Sequence, residues 1–383
     1  MERHIEITSL AHGGDGIGRI EGQVCFVPYG LPGDALRVCI ERKAKGVLWA
    51  RIVGIETPSP VRQSVDCPAY ERCGGCAWLH FSYPAQAEWK CRIVGDSLKR
   101  IAKLDTEVEW VEDASLRLGY RTRAEFHGTR EGWGFHARQS HDVVPIASCP
   151  LCHPNLNAAL RRLEGIRGHG DIEIAVNPEG DDVLVWSRRP SNALLKAFTQ
   201  CDFDERSADR AMFLFDGAPI VNGTFSQASL LLNRTLRRVV RAQIGDPANL
   251  IELYCGNGNL TLDLPRGVRV RGYDHNGAAV RAAAALRADA YQAADERSFC
   301  DALAAEPWDV VLLDPPRTGA KAIAPSLAAC HAARMVYVSC DPATLARDLA
   351  IICAAKWRLV RTVAVDLFPH TAHVETVCLL EHR

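Results

Sequence analysis

An α/β fold is predicted for the C-terminal part of the chain, and three observations predict it. From Asn249 onward, apolar runs (NLIELYCG, VRVRGYD, AYQAAD, WDVVLLDPP, ARMVYVSC) alternate with Ala-rich helical stretches. The first run ends in a glycine turn, CGNGN. The others end in polar groups: Asp274, Asp295, Asp314 and Cys340. Such alternation describes a doubly wound, Rossmann-like parallel sheet with its ligands at the carboxyl ends of the strands. The last two runs, LVRTVAVDLFPH and ETVCLLE, read as an antiparallel edge.

The elements before this sheet follow in order. Residues 1–57 hold short β-like runs (HIEIT, VCFVPY, LRVCIE, GVLWARIVGI) separated by HGGDGIG and LPGD, the pattern of a small OB-like β-barrel. TPSPVRQS reads as a linker. Residues 66–211 are mixed α+β: AEWKCRIVGDSLKRI is helical, while GYRTRAEFHG, GWGFHA and DIEIAVN are strand-like. Residues 212–383 carry the parallel sheet. In SCDPATLARD, Asp-Pro stops a strand and ATLARD opens a helix.

Composition narrows the function classes. The 383 residues suit two or three domains, and the formal net charge of −1 leaves no bulk basic footprint for nucleic acid. RNA binding would rest on local arginines such as Arg121, Arg123, Arg234, Arg237 and Arg238, which also suit solvated helix faces. No segment is long and apolar enough to span a bilayer, and MERHIEITSL has no apolar signal core. A cytoplasmic protein is expected, in which 15 cysteines serve metal binding or catalysis rather than disulfides.

CPAYERCGGCAWLH places Cys67, Cys73 and Cys76 at C-x5-C-x2-C spacing, with two glycines that let the chain fold around a centre. Three such thiols imply a metal and need a fourth ligand. Cys91, Cys149, Cys152 and His80 are candidates, and the spacing leaves zinc and an iron–sulfur cluster both open.

The turn CGNGN lets a ligand approach the backbone at Gly256 and Gly258. Asp274, at the end of the next strand, can accept hydrogen bonds from ribose hydroxyls. The third glycine of the dinucleotide fingerprint is missing, since residue 261 is threonine. With polar groups at four strand ends and no phosphate to cradle, S-adenosylmethionine fits better than NAD. Cys340, at the mouth of the sheet, is then either a small packing residue or a nucleophile. Cys255, between Tyr254 and Gly256, suits packing under the turn.

Read together, VLLDPPRTG, SCDPATLARD and DLFPHTAHVETVCLLE resemble the RNA uracil-5-methyltransferase family over essentially the whole chain. The resemblance implies that Cys340 is the nucleophile and Glu375 the proton-abstracting base. It implies a cofactor site for S-adenosylmethionine lined by Gln227, Tyr254, Asp274, Asp295 and Asp314, with Asn259 as a lesser member. Gln227 lies in Phe225-Ser226-Gln227-Ala228-Ser229, where the family has asparagine at the last position and this chain has serine. The resemblance also implies a [4Fe-4S] cluster on Cys67, Cys73, Cys76 and Cys149, in a central domain that binds RNA. GGDGIGR and FVPYGLPGD resemble the TRAM domain, a small RNA-binding barrel. Family members acting on bacterial tRNA usually lack both cluster and barrel. The expected substrate is therefore 23S ribosomal RNA, methylated by a cytoplasmic monomer, with tRNA methylation and a catalytically silent RNA-binding module as rivals.

Overall fold

Five N-terminal strands alternate inward apolar with outward polar residues, and that period-two pattern lets them curl around one core. They are β1 (Glu2–Leu10), β2 (Gly16–Ile20), β3 (Gln23–Val27), β4 (Ala35–Ala44) and β5 (Val47–Thr57), closed in the order β1-β2-β3-β5-β4. Ile5, Ile7, Cys25, Val27, Leu36, Val38 and Leu48 fill the interior. The computed structural model describes residues 2–204, 207 and 210–382. It divides into two units: Met1–Ile93, Phe135–Val144 and Phe368–His373 form the first, and the remainder forms the second.

In the first unit, the stretch read as a linker is tied down. Asp34, fully buried, accepts hydrogen bonds from Leu31 N (2.6 Å), Ser59 N (2.8 Å), Arg62 Nε (2.7 Å) and Arg62 Nη2 (2.6 Å). A buried carboxylate without partners is costly, so the chain after β5 folds back to satisfy it. Trp78 and Phe81 then pack with Leu10, Leu31, Trp89 and Ile93. Helix α1 (Tyr83–Ser97) begins in this unit and leads into a wide turn, Leu98–Ala102, that ends on left-handed Lys103 (φ 60°).

Two further sheets and a hairpin follow in the chain. After β6 (Glu109–Val111) come β7 (Arg123–Thr129), β8 (Gly132–His136), β9 (Val143–Pro145), α2 (Pro154–Arg161), β10 (Gly170–Val176), β11 (Val183–Ser187), α3 (Asn192–Ala197) and β12 (Cys201–Asp202). A six-stranded sheet runs β12-β11-β10-β7-β8-β9. β13 (Met212–Phe215) and β14 (Ala218–Val221) pair as a hairpin before α4 (Leu230–Ile244).

The large sheet is built from β15 (Asn249–Leu253), β16 (Arg269–Asp274), β17 (Tyr291–Ala293), β18 (Trp308–Leu313), β19 (Ala332–Ser339), β20 (Trp357–Val365) and β21 (Glu375–His382). Between them lie α5 (Gly277–Leu286), α6 (Glu296–Ala305), α7 (Ala324–Ala329) and α8 (Pro342–Ile352). Strand order is β17-β16-β15-β18-β19-β21-β20-β6, with β15 to β19 parallel.

The antiparallel strand expected at the edge is instead internal. β21 inserts between β19 and β20, antiparallel to both, and β6 pairs parallel to β20 as the outermost strand. The cause is visible in the side chains. Residues 375–378 of β21 are buried on both faces, as an interior strand requires, whereas β20 exposes Arg358 and Arg361.

Candidate active site

The turn after β15 is shaped by its backbone. Tyr254 adopts φ 61°, a left-handed conformation uncommon for a non-glycine residue, and Gly256 follows at φ 53°. The Asp274 carboxylate holds this turn: Oδ2 accepts from Gly256 N at 2.9 Å and Oδ1 from Asn276 N at 2.7 Å. The Tyr254 ring stands edge-on to Phe299, with centroids 5.1 Å apart. Asn259 exchanges two amide hydrogen bonds with Asn233 of α4, at 2.6 and 3.0 Å, and so braces the turn.

Parallel register aligns the rim. Leu253 pairs with both Tyr273 and Leu313, so Tyr254, Asp274 and Asp314 lie at matching positions on neighbouring strands. Asp314 donates its N–H to Leu253 O at 3.3 Å. Its carboxyl is pushed up to about 7, first by burial and then by the charge of Asp274. Asp295 is placed differently from the other strand-end residues. It lies exposed, two residues beyond β17, and caps α6 by accepting from Ser298 N (2.9 Å) and Ser298 Oγ (2.8 Å). Gln227 is buried in a segment clasped to β7, where Ala228 O accepts from Thr122 N at 2.8 Å and Ser226 O from Arg123 Nη1 at 2.7 Å. Ser229 is the N-cap of α4, its Oγ accepting from Leu232 N at 3.0 Å.

Cys340 and Glu375 are brought together by the antiparallel ladder. Ser339 pairs with Thr376, so one step beyond the ladder Cys340 faces Glu375. Glu375 is 2% exposed and Cys340 is half-buried. Burial, then the charges of Glu375 and Asp314, raise the Cys340 thiol to about 12, while Arg317 pulls it down. Burial and Asp314 likewise hold Glu375 well above the usual carboxylate range, again opposed by Arg317. At neutral pH Cys340 therefore rests as the thiol, and the Glu375 carboxyl holds its proton more firmly than an ordinary glutamate. A thiol and a carboxyl group share one rim with the turn after β15, groups of the kind covalent catalysis uses.

Cys255 is buried, its thiol held far above the ordinary value by desolvation, as packing under the turn requires. Arg317 was not singled out in the sequence, although a cation three residues past a strand-end Asp was the available signal. Glu252 was also missed. This fully buried carboxyl accepts from Thr261 Oγ1, which in turn contacts Tyr291 Oη at 2.8 Å, and burial raises it to about 8. Arg234 and Arg237 are committed to ion pairs, Arg234 with Asp216 at 2.8 Å and Arg237 with Asp263 at 2.9 Å.

The cysteine motif lies on a loop of the first unit. Tyr70 N bonds to Cys67 O (3.1 Å) and Cys73 N to Ala69 O (2.8 Å), two turns in the loop that carries the three half-buried thiols. Gly75 N donates to Cys73 Sγ at 3.4 Å, a contact suited to a thiolate. His80 has both ring nitrogens engaged, by Tyr70 Oη and by Tyr29 O at 2.9 Å, and Cys91 is raised to about 11 by burial. In the second unit Cys149 is lowered to about 6, chiefly by a hydrogen bond from Cys152, with help from backbone N–H groups and Arg121. Buried Cys152 is thus a donor to Cys149.

Comparison with known proteins adds five findings. Residues 2–53 match the TRAM domain, and residues 301–383 match the tRNA (Uracil-5-)-methyltransferase family. The chain is 33% identical to the 23S rRNA (uracil(1939)-C(5))-methyltransferase RlmD of Thiobacillus denitrificans, with all of both chains covered. It is 32% identical to the protein of the same description from Chromohalobacter salexigens, over 98% of this chain and 88% of that one. Among solved structures it resembles the Pyrococcus abyssi tRNA (uracil-54, C5)-methyltransferase in complex with S-adenosyl-L-homocysteine. The TM-score is 0.75 and the identity 25%, over 98% and 99% of the two chains.

Proposed function

The chain belongs to the RNA uracil-C5 methyltransferase family, and we propose that it methylates carbon 5 of a uridine in 23S ribosomal RNA. The observation that carries this reading is the meeting of Cys340 and Glu375 across the β19–β21 ladder, beside the acidic turn. Full-length likeness to ribosomal RNA methyltransferases, with the barrel present, favours that substrate over tRNA. The cytoplasm, where ribosomal RNA is found, is the expected compartment. Among the described residues no helix is long and apolar enough to cross a membrane.

The rim fits S-adenosylmethionine. Asp314 and Asp274 repel one another, and a cationic sulfonium relieves that repulsion. Tyr254, Asp274, Asp314, Gln227, Asn259 and Asp295 are assigned to its site, Asn259 and Asp295 through the loops they brace. S-adenosylmethionine supplies the methyl group. Cys340, once its thiol proton has passed to water, adds as thiolate to carbon 6 of uracil, which puts electron density on carbon 5 for methylation. Arg317 favours the thiolate. Glu375, as carboxylate, removes the hydrogen from carbon 5, and elimination breaks the bond from carbon 6 to sulfur and frees Cys340. The uridine must leave its stack to reach this rim.

Cys67, Cys73, Cys76 and Cys149 are assigned to a [4Fe-4S] cluster. The C-x5-C-x2-C spacing, the Gly75 N–H on Cys73 Sγ and the low value of the Cys149 thiol support this, since thiolates are the ligands. The cluster organises the RNA-binding part, because methyl transfer moves no electrons. The decisive experiment maps 5-methyluridine in RNA from a strain lacking the gene. Loss from 23S RNA alone is expected; loss from tRNA with 23S RNA unchanged overturns the substrate assignment.

A further inference from the structure

The loop after β18 and the helix after Cys340 are fastened together by side chains that take no part in the chemistry above. Thr344, Arg347 and Asp348 share one face of α8, at i, i+3 and i+4. Thr344 Oγ1 donates to Arg317 O at 3.0 Å, and Arg347 Nη2 donates to Thr318 O at 2.8 Å. Asp348 is fully buried. Its Oδ2 accepts from Ala320 N at 2.7 Å and from the Tyr337 hydroxyl at 2.8 Å, and its Oδ1 accepts from Arg347 Nε at 2.9 Å. Gly319 adopts φ 71°, and a Cβ there would collide with Asp348 Oδ2. Three backbone groups of one loop are therefore gripped by one helix face, and Tyr337 adds β19 to the same anchor.

A carboxylate buried only to be satisfied would need nothing from that loop. Here the helix side chains reach outward to two loop carbonyls and one loop N–H. The loop begins at Asp314, on the cofactor rim, and carries Arg317. The helix begins two residues after Cys340, and the residue between, Asp341, caps it by accepting from Ala343 N (3.0 Å) and Thr344 N (2.9 Å). The fastening thus joins the two sides of the reaction centre: cofactor loop and nucleophile turn.

We propose that Asp348, assisted by Thr344, is a positioning residue for methyl transfer, holding the loop 314–320 in fixed register with the turn that presents Cys340. This rests on the methyltransferase reading given above. Reacting groups held slightly out of place lose rate rather than affinity, so the loss should fall on kcat.

The test uses the full-length enzyme and three readouts. Calorimetry with S-adenosyl-L-homocysteine counts competent sites. Methyl incorporation into unmodified 23S RNA gives kcat and KM. Hydrogen exchange reports the Ala320 amide. Asp348→Asn should keep about one site per chain and KM within about twofold, while kcat per site falls about tenfold and Ala320 loses protection. Thr344→Val, whose side chain lies nearer the surface, should cost about threefold. The double variant should be no slower than Asp348→Asn alone, because both act through one loop. Unchanged kcat per site, effects that multiply, or retained protection of Ala320 in Asp348→Asn each overturn the proposal. If the unaltered enzyme methylates no RNA, the methyltransferase reading is the one that fails, and exchange at Ala320 still decides whether the fastening exists.

Discussion

At Cys340 the burial that shelters the thiol also keeps it protonated, and burial raises the Glu375 carboxyl beside it as well. Their assigned roles differ in time, so their variants should fail differently. Cys340→Ala should form neither adduct nor product. Glu375→Gln should attack and methylate but lack the base, leaving RNA linked through Cys340. Denaturing electrophoresis after incubation with RNA and cofactor separates the two: a slow protein–RNA band is expected with Glu375→Gln alone, and normal turnover by that variant would remove Glu375 from the base role. Glu252 gives a pH prediction. Its folded value of about 8 lies above its ordinary 4.5, so its contribution to stability is whole below about 4.5 and is lost as pH rises through about 8. Glu252→Gln should flatten the fall of Tm between those limits; an unchanged slope would show that Glu252 ionises normally. Cys340 and Glu375 were legible as residues because each sits in a short motif. Asp348 was not, because its role depends on which backbone atoms lie opposite a helix face, and no spacing rule records that.

Among the elements, those with a clean period were legible: the barrel strands, the parallel strands β15 to β19 and helix α8. The order of the last strands was not. The strand pattern shows that β21 exists but not that it slips between its predecessors, and β6 is too short to register as a sheet member. The stretch after β5 read as a linker because prolines and polar residues dominate it, yet buried Asp34 recruits it. In the barrel, the hairpin joining β4 to β5 exposes Arg42, Lys43 and Lys45. The Arg42 guanidinium lies 3.7 Å over the Trp49 ring, which stacks on Phe26 with centroids 5.9 Å apart. Cations beside stacked rings suit an RNA strand with an accessible base. Changing the three cations to alanine should lower the slope of log affinity for 23S RNA against log salt by about two, without affecting binding of S-adenosyl-L-homocysteine. An unchanged slope would place the RNA elsewhere.

For the whole molecule, the division into two units sets the loop 67–76 apart in sequence from the residues of the cofactor rim, so a variant in that loop tests the cysteine centre by itself. Cys73 belongs to the first unit, and Tyr254, Asp274 and Asp314 to the second. Anaerobically purified protein should be brown and carry iron and sulfide, and Cys73→Ala should lose the colour while still binding S-adenosyl-L-homocysteine. Stoichiometric zinc in the unaltered protein would overturn the cluster assignment.

The position of β21 also bears on how the protein is made. Glu109 and Arg361, bonded across the β6–β20 edge, are 252 residues apart, and the strand that fills the gap between β19 and β20 is synthesised after both. While translation is under way, β6 waits for a neighbour and β19 and β20 each carry an open side, a form prone to stray pairing. The large sheet therefore closes only once the ribosome has delivered residues 375–382. A stalled chain that stops before them lacks Glu375 and the strand together, so such a fragment is expected to be inert and sensitive to protease.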